Sequence, residues 1–155
     1  MNKCFYTWDD IDNACFDIYR DVKEVKFNPD YIVGLTRGGL IPATILSHRF
    51  NCPLYPLKVS LRDFQEVDFR TTEKPRWVDE QDKKVLIVDD INDSGNTINT
   101  IKEVWPGDWH NNIRFAVIVN NTASKATVDF SYSTINKNIN DVWIVYPWEN
   151  YNEHY

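Results

Sequence analysis

Apolar residues in the first part of the chain recur at the spacing of an amphipathic helix. Thr7 and Asp10 stand three residues apart in the pattern of a capping box, which predicts a helix over residues 8–25. The apolar positions of this helix are Ile11, Ala14, Cys15, Ile18, Tyr19 and Val22. We therefore expect one face of the helix to pack on a hydrophobic core.

Short β-branched and apolar runs alternate with helical patterns over the rest of the chain. Strand Tyr31–Leu35 precedes a polar loop and helix Leu40–Phe50, and strand 85–88 precedes an acidic loop and a helix through Ile98, Ile101 and Val104. Further strands are predicted at 53–59, 114–119, 126–132 and Val142–Val145. This alternation predicts an α/β fold with a mostly parallel central sheet flanked by helices, in which ligands bind at the carboxyl ends of strands.

Residues 60–84 interrupt the alternation, because they show little apolar periodicity. This segment contains many basic residues, including Arg62, Arg70, Lys74, Arg76, Lys83 and Lys84. We expect a long mobile segment without secondary structure, and segments of that length usually have a function.

Composition limits the classes of protein that the chain can represent. Its 155 residues, 43% of them hydrophobic, predict one domain over residues 1–155 with a proper core. The net charge of −6 argues against a nucleic-acid-binding protein. The apolar runs are far below the roughly 18 residues that a membrane-spanning helix needs. The N-terminus lacks the apolar stretch of a secretion signal, and the three cysteines are widely spaced, so we expect a cytoplasmic protein.

The glycines concentrate in the two strand-to-helix loops. Four of the five glycines, Gly34, Gly38, Gly39 and Gly95, lie in or beside these loops. Such loops either make tight turns alone or bind phosphate, because a loop that opens a helix presents unpaired N–H groups. Two such loops in one small domain favour phosphate binding.

The second loop adds acidic side chains to this arrangement. Asp89 and Asp90 directly follow a buried-type strand, where an uncompensated charge is costly, and Asp93 comes three residues later. Ser94–Thr97 then supply amides and hydroxyls at the start of a helix. A carboxylate pair beside a phosphate-binding loop suits a sugar phosphate with bound Mg²⁺.

Residues 85–97, VLIVDDINDSGNT, resemble the phosphoribosyl pyrophosphate signature of type I phosphoribosyltransferases. Segments 6–9, 35–42 and 143–149 are similar to the short bacterial xanthine-guanine phosphoribosyltransferases, in the same order along the chain. The resemblance implies the type I phosphoribosyltransferase fold, with residues 60–84 as a flexible lid and residues 133–155, with part of the N-terminus, as a small base-binding hood. It also implies Mg²⁺-dependent transfer of a phosphoribosyl group to a purine, with a 6-oxopurine favoured, which yields a nucleoside 5′-monophosphate and pyrophosphate.

The resemblance also implies a role for each matching residue. Asp89 and Asp90 hold the ribose hydroxyls, directly or through Mg²⁺, and Asp93 is the general acid–base group near N7 of the purine. The 5′-phosphate lies on Ser94, Gly95, Asn96 and Thr97, where Asn96 tolerates a left-handed backbone. Pyrophosphate lies on Thr36, Arg37, Gly38 and Gly39, a loop in which family members often have a non-proline cis bond. The lid closes over the pyrophosphate through Arg62, Arg70, Lys74 or Arg76, with Arg62 and Arg70 as the main candidates, and keeps water from the ribosyl cation.

The base pocket departs from the family pattern. Trp143 is expected to stack on the purine, Ile144 to offer backbone contacts, and Trp148 and Glu149 to support the pocket. Members that use 6-oxopurines place a lysine after the strand equivalent to 114–119, where this chain has Asn120 and Asn121, and Lys125 is displaced. With Asn120 as the candidate base contact, hypoxanthine, guanine, xanthine and adenine all stay open.

Other functions on the same pattern are disfavoured. A non-catalytic regulator that binds phosphoribosyl pyrophosphate or a nucleotide would need a nucleic-acid-binding face, for which the chain has neither a spare domain nor the charge. A phosphatase or a receiver domain would need an isolated acceptor aspartate and a downstream lysine, whereas this chain has a glycine- and hydroxyl-containing loop at 95–97. A phosphoribosyltransferase for a different base is a further alternative. The six tryptophans and the resemblance favour a homodimer or homotetramer.

Overall fold

The computed structural model describes residues 1–60, 66–68, 82–105 and 109–152. In chain order the strands are β1 (Asn2–Phe5), β2 (Tyr31–Leu35), β3 (Leu54–Ser60), β4 (Glu66–Asp68), β5 (Val85–Asn92), β6 (Ile113–Asn121), β7 (Phe130–Ile135) and β8 (Val142–Val145). The helices are α1 (Trp8–Glu24), α2 (Leu40–Phe50), α3 (Asn96–Val104) and α4 (Trp109–Asn112), and a 3₁₀-helix spans Pro147–Asn152.

Six strands form the central sheet, in the order β4-β3-β2-β5-β6-β7. All neighbours are parallel except β4, which pairs antiparallel with β3. Each face of the sheet has its own apolar cluster, one around Ile18 and Leu86 and the other around Ile87 and Ile101. The predicted mostly parallel α/β sheet with flanking helices is confirmed, and β2 and β5 lie side by side at its centre.

Helix α1 begins at the capping box that the sequence predicts. The side chain of Thr7 accepts a hydrogen bond from the backbone N–H of Asp10, and the Asp10 carboxylate accepts one from the backbone N–H of Thr7 at 2.7 Å. Ile11, Ile18 and Val22 are fully buried against the sheet. The helix therefore has the cap and the buried face that its sequence pattern indicates.

Several strands differ from their predicted bounds. The acids after residue 88 lie inside β5, because the ladder with β6 continues from Asp89, opposite Val117, to Asn92, opposite Asn120. The prediction of a loop starting at Asp89 was therefore wrong, since backbone pairing continues whatever the side chains are. The strand predicted at 126–132 lies instead at β7, where Ala116 to Asn121 of β6 provide the partner.

The expectation that residues 60–84 lack secondary structure is also wrong in part. Strand β4 lies within this segment and pairs with β3, with Val67 opposite Val59. Three residues with one apolar position give no periodicity that a sequence pattern can detect. Arg62 and Arg70 lie outside the described residues.

A second, smaller sheet joins the beginning of the chain to its last strand. β1 and β8 pair in parallel, with Lys3 opposite Trp143 and Phe5 opposite Val145, and the N–H of Tyr6 donates to the carbonyl oxygen of Val145 at 2.9 Å. The pattern of residues 2–5 does not predict β1, because all four residues are exposed. Residues 133–135, which we expected in the hood, belong to the central sheet. Among the described residues, none of the helices has the length and apolar character to cross a membrane.

Candidate active site

The two glycine-containing loops lie beside each other at the carboxyl ends of β2 and β5. A cavity of about 210 Å³ opens there. It is lined by Asp89, Asp90, Ile91, Asn92, Asp93, Ser94, Gly95, Thr97 and Ile98. This cavity brings the predicted acid pair, the predicted general base and most of the predicted phosphate loop into one place.

The acid pair is held by backbone amides. One carboxylate oxygen of Asp89 accepts from the N–H of Asp90 at 2.9 Å, and one of Asp90 accepts from the N–H of Ile91 at 2.8 Å. Burial and the neighbouring Asp90 charge raise the pKa of Asp89 well above its ordinary value, and burial also raises the pKa of Asp90. No ion pair joins either carboxylate to a cation in the described part of the chain. The pair therefore suits a ligand that brings hydroxyls or a cation to it.

The loop 36–39 packs directly on this pair. A Cβ atom on Gly38 would overlap the Asp90 carboxylate, and one on Gly39 would overlap the carbonyl oxygen of Val88. The peptide bond between Thr36 and Arg37 is cis. The N–H of Gly39 donates to the carbonyl oxygen of Leu35 at 2.9 Å, which closes the turn. Glycine at position 38 allows the backbone of this loop to contact the Asp90 carboxylate of β5.

The loop after β5 turns sharply at Gly95. This residue has a φ of 90° and is the N-cap of α3, and Asn96 begins the helix. The left-handed residue of this loop is therefore Gly95, and Asn96 is the first residue of the helix. A Cβ on Gly95 would lie 2.5 Å from the backbone nitrogen of Ala126. The N–H of Asn96 donates to Oγ of Ser94 at 3.3 Å, and the helix N-terminus that begins there is suited to an anion.

Asp93 forms an ion pair that the sequence did not indicate. Nζ of Lys137 lies 2.8 Å from Oδ2 of Asp93, and the two side chains are 21% and 49% exposed. Lys137 follows β7, 44 residues away from Asp93 along the chain. Its nitrogen lies 5.9 Å from the centre of the Trp143 ring. The predicted general base, a lysine and the predicted stacking residue thus form one cluster.

The two asparagines at the end of β6 are bound within the protein. The amide of Asn92 donates to Oδ1 of Asn120 at 2.8 Å. Buried Asn121 donates to the carbonyl oxygen of Asp93 at 3.0 Å and accepts from the backbone N–H of Lys137 at 3.1 Å. Asn121 therefore fixes the backbone on both sides of the Asp93–Lys137 ion pair.

The predicted base-pocket residues near the C-terminus differ sharply in exposure. Trp143 in β8 is 52% exposed, whereas Ile144 beside it is 7% exposed. Trp148 stacks on Tyr146 with ring centres 4.7 Å apart, and Glu149 accepts from the N–H of Tyr146 at 3.1 Å. Trp143 thus offers an open aromatic surface, and Trp148 and Glu149 support the segment that follows it.

Tyr146 joins the small sheet to the acid pair, and sequence patterns alone gave no sign of this. Its hydroxyl donates to the carbonyl oxygen of Asp90 at 2.9 Å. Burial and the nearby Asp90 charge raise the pKa of Tyr146 far above its ordinary value, so the hydroxyl keeps its proton.

The donor set of the acid pair fits Mg²⁺ that arrives with a phosphorylated ligand. Two carboxylates adjoin a loop of backbone amides, and the described residues contain no group of three or more histidine, cysteine, aspartate or glutamate side chains placed to hold a metal. Mg²⁺ is commonly bound through one or two carboxylates plus substrate oxygens. Asp89 and Asp90 are the residues that would hold it, directly or through a ligand hydroxyl.

Comparisons with known proteins agree with this geometry. The family model described as "Phosphoribosyl transferase domain" matches residues 7–151. The xanthine-guanine phosphoribosyltransferase of Chromohalobacter salexigens is 26% identical over 143 residues, which are 92% of this chain and 82% of that protein. The purine phosphoribosyltransferase of Pyrococcus horikoshii superposes with a TM-score of 0.72 and 30% identity, covering 96% of this chain and 95% of that one.

The structure of the xanthine-guanine-hypoxanthine phosphoribosyltransferase of Helicobacter pylori has a TM-score of 0.75 at 21% identity, covering 96% of this chain and 93% of that one. This likeness supports the type I phosphoribosyltransferase fold. The sequence resemblance, the predicted fold and the predicted enzyme class, a glycosyltransferase that moves a pentosyl group, are all confirmed. The chain belongs to the phosphoribosyltransferase family.

Proposed function

We propose that this protein transfers the 5-phosphoribosyl group of phosphoribosyl pyrophosphate to a purine base, with a 6-oxopurine as the favoured acceptor and Mg²⁺ as the cofactor. The products are a nucleoside 5′-monophosphate and pyrophosphate, so the proposed role is purine salvage. The observation that supports this most strongly is that the acid pair of β5 lines one cavity with residues 93–95 and 97, while the loop 36–39 packs on the Asp90 carboxylate. The names of the relatives from Chromohalobacter salexigens and Pyrococcus horikoshii point to the same chemistry.

Each part of phosphoribosyl pyrophosphate has a matching part of the site. The 5′-phosphate is proposed to bind the loop 94–97, because Ser94, Gly95 and Thr97 line the cavity at the N-terminus of α3. The ribose hydroxyls donate to the carboxylates of Asp89 and Asp90. The pyrophosphate binds the loop 36–39, where Arg37 adds positive charge. When bound, Mg²⁺ supplies positive charge that offsets the negative charge of the pyrophosphate.

The proposed reaction exchanges one bond at C1′ of the ribose for another. The bond from C1′ to the pyrophosphate oxygen breaks, and a bond from C1′ to a ring nitrogen of the base forms. Asp93 accepts the proton that the base gives up at N7, and Trp143 holds the base by stacking. The carboxylates of Asp89 and Asp90 keep the ribose in position while positive charge develops on it. Positioning and charge stabilisation therefore supply most of the catalysis.

A homodimer or homotetramer in the cytoplasm is part of the proposal. Three large side chains near the N-terminus, Phe5, Trp8 and Phe16, are about half exposed, at 53%, 51% and 48%. Apolar surface of this kind commonly becomes buried between subunits. Light scattering of the purified protein at several concentrations tests the assembly, and a monomer at all of them would refute it.

Pyrophosphate release in the presence of phosphoribosyl pyrophosphate and Mg²⁺ tests the activity. Hypoxanthine, guanine, xanthine and adenine are supplied one at a time, and the nucleotide is identified by mass. The matched control is the double variant Asp89→Asn with Asp90→Asn, in which we expect Mg²⁺-dependent binding of phosphoribosyl pyrophosphate to be lost. Tight binding of phosphoribosyl pyrophosphate without turnover of any base would reject the enzyme in favour of the non-catalytic regulator.

A further inference from the structure

We propose that Lys137 selects the base, by donating a hydrogen bond to the exocyclic oxygen of a 6-oxopurine while Asp93 binds the neighbouring ring nitrogen. This inference rests on the proposed function and deepens it, because it names the residue that distinguishes an oxo from an amino purine. The residue comes from the segment between β7 and β8, and not from the end of β6, where we expected the base contact.

The position of the ammonium group is the first support. Nζ of Lys137 lies 2.8 Å from Oδ2 of Asp93 and 5.9 Å from the centre of the Trp143 ring. The Lys137 side chain is 21% exposed, so most of its stem is packed. A base that stacks on Trp143 therefore comes within reach of both members of the ion pair.

The chemistry of the pair is the second support. One edge of a purine carries N7 and the substituent at C6 as neighbours, and this substituent is an acceptor oxygen in guanine but a donor amine in adenine. In a free 6-oxopurine with its proton on N7, N7 is a hydrogen-bond donor and the neighbouring oxygen on C6 is an acceptor. Asp93 is an acceptor beside the donor Lys137, so the two patterns match. Adenine would place its amine against the ammonium, donor against donor, which disfavours it.

The asparagines at the end of β6 support the assignment by their own contacts. Oδ1 of Asn120 is bound by the amide of Asn92, and the amide of Asn121 donates to the carbonyl oxygen of Asp93. Asn121 also accepts from the backbone N–H of Lys137. These contacts make Asn121 a positioning residue for Lys137. Neither asparagine is charged, so Lys137 is the cationic group beside Asp93.

Three variants test the proposal on the intact protein, with kcat/KM measured for hypoxanthine and for adenine. Lys137→Met keeps the length of the side chain and removes the donor, and Lys137→Arg keeps a donor. Lys125→Met is the matched control, because this exposed lysine is the other cation downstream of β6. Calorimetry with inosine and adenosine 5′-monophosphates gives the ratio of the two nucleotide affinities without turnover. Circular dichroism verifies that each variant is folded.

We expect Lys137→Met to lower the hypoxanthine-to-adenine ratio of kcat/KM by roughly 10- to 100-fold, Lys137→Arg to restore part of it, and Lys125→Met to leave it unchanged. An unchanged ratio in an active Lys137→Met enzyme overturns this inference and leaves the proposed function standing. A ratio that falls only in Lys125→Met also overturns it. Absence of turnover by the unmodified protein with every base overturns the proposed function itself, and an unchanged ratio of nucleotide affinities in Lys137→Met then overturns the inference independently.

Discussion

The hydroxyl of Tyr146 donates a 2.9 Å hydrogen bond to the backbone carbonyl of Asp90, 56 residues earlier in the chain. Tyr146 follows β8, which presents Trp143, and Asp90 belongs to the acid pair of β5. One partly buried hydrogen bond therefore connects the aromatic surface proposed for the base with the strand proposed for the ribose. The hydroxyl keeps its proton, because burial and the nearby Asp90 charge raise the pKa of Tyr146 far above its ordinary value.

Replacing Tyr146 by Phe should destabilise the protein and weaken base binding. The variant leaves the Asp90 carbonyl without its donor, which costs about 1–3 kcal/mol for a buried acceptor. Urea unfolding measures this loss, and we expect KM for the base to rise more than KM for phosphoribosyl pyrophosphate. Tyr132→Phe is the control, because Tyr132 is 36% exposed. Equal stability of the two variants would show that the Tyr146 hydrogen bond contributes nothing.

Gly38→Ala should weaken the binding of phosphoribosyl pyrophosphate. The added methyl group would occupy the position of the Asp90 carboxylate, so either the loop or the acid has to move. A displacement of about 1 Å in a catalytic site can cost on the order of 100-fold in rate, and we expect at least a tenfold higher Kd in calorimetry.

Gly34→Ala is the matched control for this loop. Its added Cβ would crowd the Cβ of Ala43, 2.8 Å away, and would not contact Asp90. Both variants should lose stability, but only Gly38→Ala should lose affinity in the folded protein. Equal losses of affinity would mean that the loop 36–39 is sensitive to any crowding and that the contact with Asp90 has no special role.

Asp89→Asn should make the protein more stable at neutral pH, although it removes a proposed ligand contact. Burial raises the pKa of Asp89 above its ordinary value of 3.8. The folded state therefore holds the proton more tightly than the unfolded state, and this carboxyl makes stability fall as the pH rises above 3.8. Replacing Asp89 with Asn removes the ionisable group, and with it this loss of stability at higher pH.

Thermal unfolding at several pH values measures this effect. We expect Tm at pH 7 to rise by about 2–4 °C for each 1 kcal/mol gained, and the gain to shrink as the pH approaches 3.8. Asp141→Asn, at an exposed position, should change Tm little at any pH. A lower Tm for Asp89→Asn at pH 7 would contradict the destabilising effect assigned to the half-buried Asp89 carboxylate.

Asp93→Asn should abolish most of the turnover and preserve the binding of phosphoribosyl pyrophosphate. An amide cannot take the proton from N7, and loss of a general base typically lowers kcat by about 10²- to 10⁴-fold. Steady-state kinetics and calorimetry on the same preparation separate the two effects. Glu24→Gln, at the exposed end of α1, is the control for loss of a negative charge. Undiminished turnover in Asp93→Asn would exclude the general-base role.

The parts of the fold set by local patterns were predictable from the sequence. The capping box of Thr7 and Asp10 and the apolar run before Asp89 depend on residues close together in the chain, and both gave the correct element. The register of β7 and the existence of β1 were not predictable, because each strand depends on a partner distant in sequence. Backbone pairing with that partner, and not the pattern of the strand itself, decides where it lies.

The same reason explains which site residues were missed. Asp89, Asp90 and Asp93 stand in one short segment with a recognisable order. Lys137 and Tyr146 are ordinary residues in their own segments, and their roles arise from contacts across 44 and 56 residues. A lysine or a tyrosine has no local signature for such a contact, so tertiary structure is needed to find it.

The pairing of β1 with β8 has a consequence for the order in which the protein assembles. Residues 2–5 meet residues 142–145, so the loop that this pairing closes spans most of the described chain. Long loop closure is slow and entropically costly, and the small sheet should therefore form after the central sheet. The surface that presents Trp143 is then the last part of the site to mature, and pulse-labelling hydrogen exchange should show residues 2–5 protected latest.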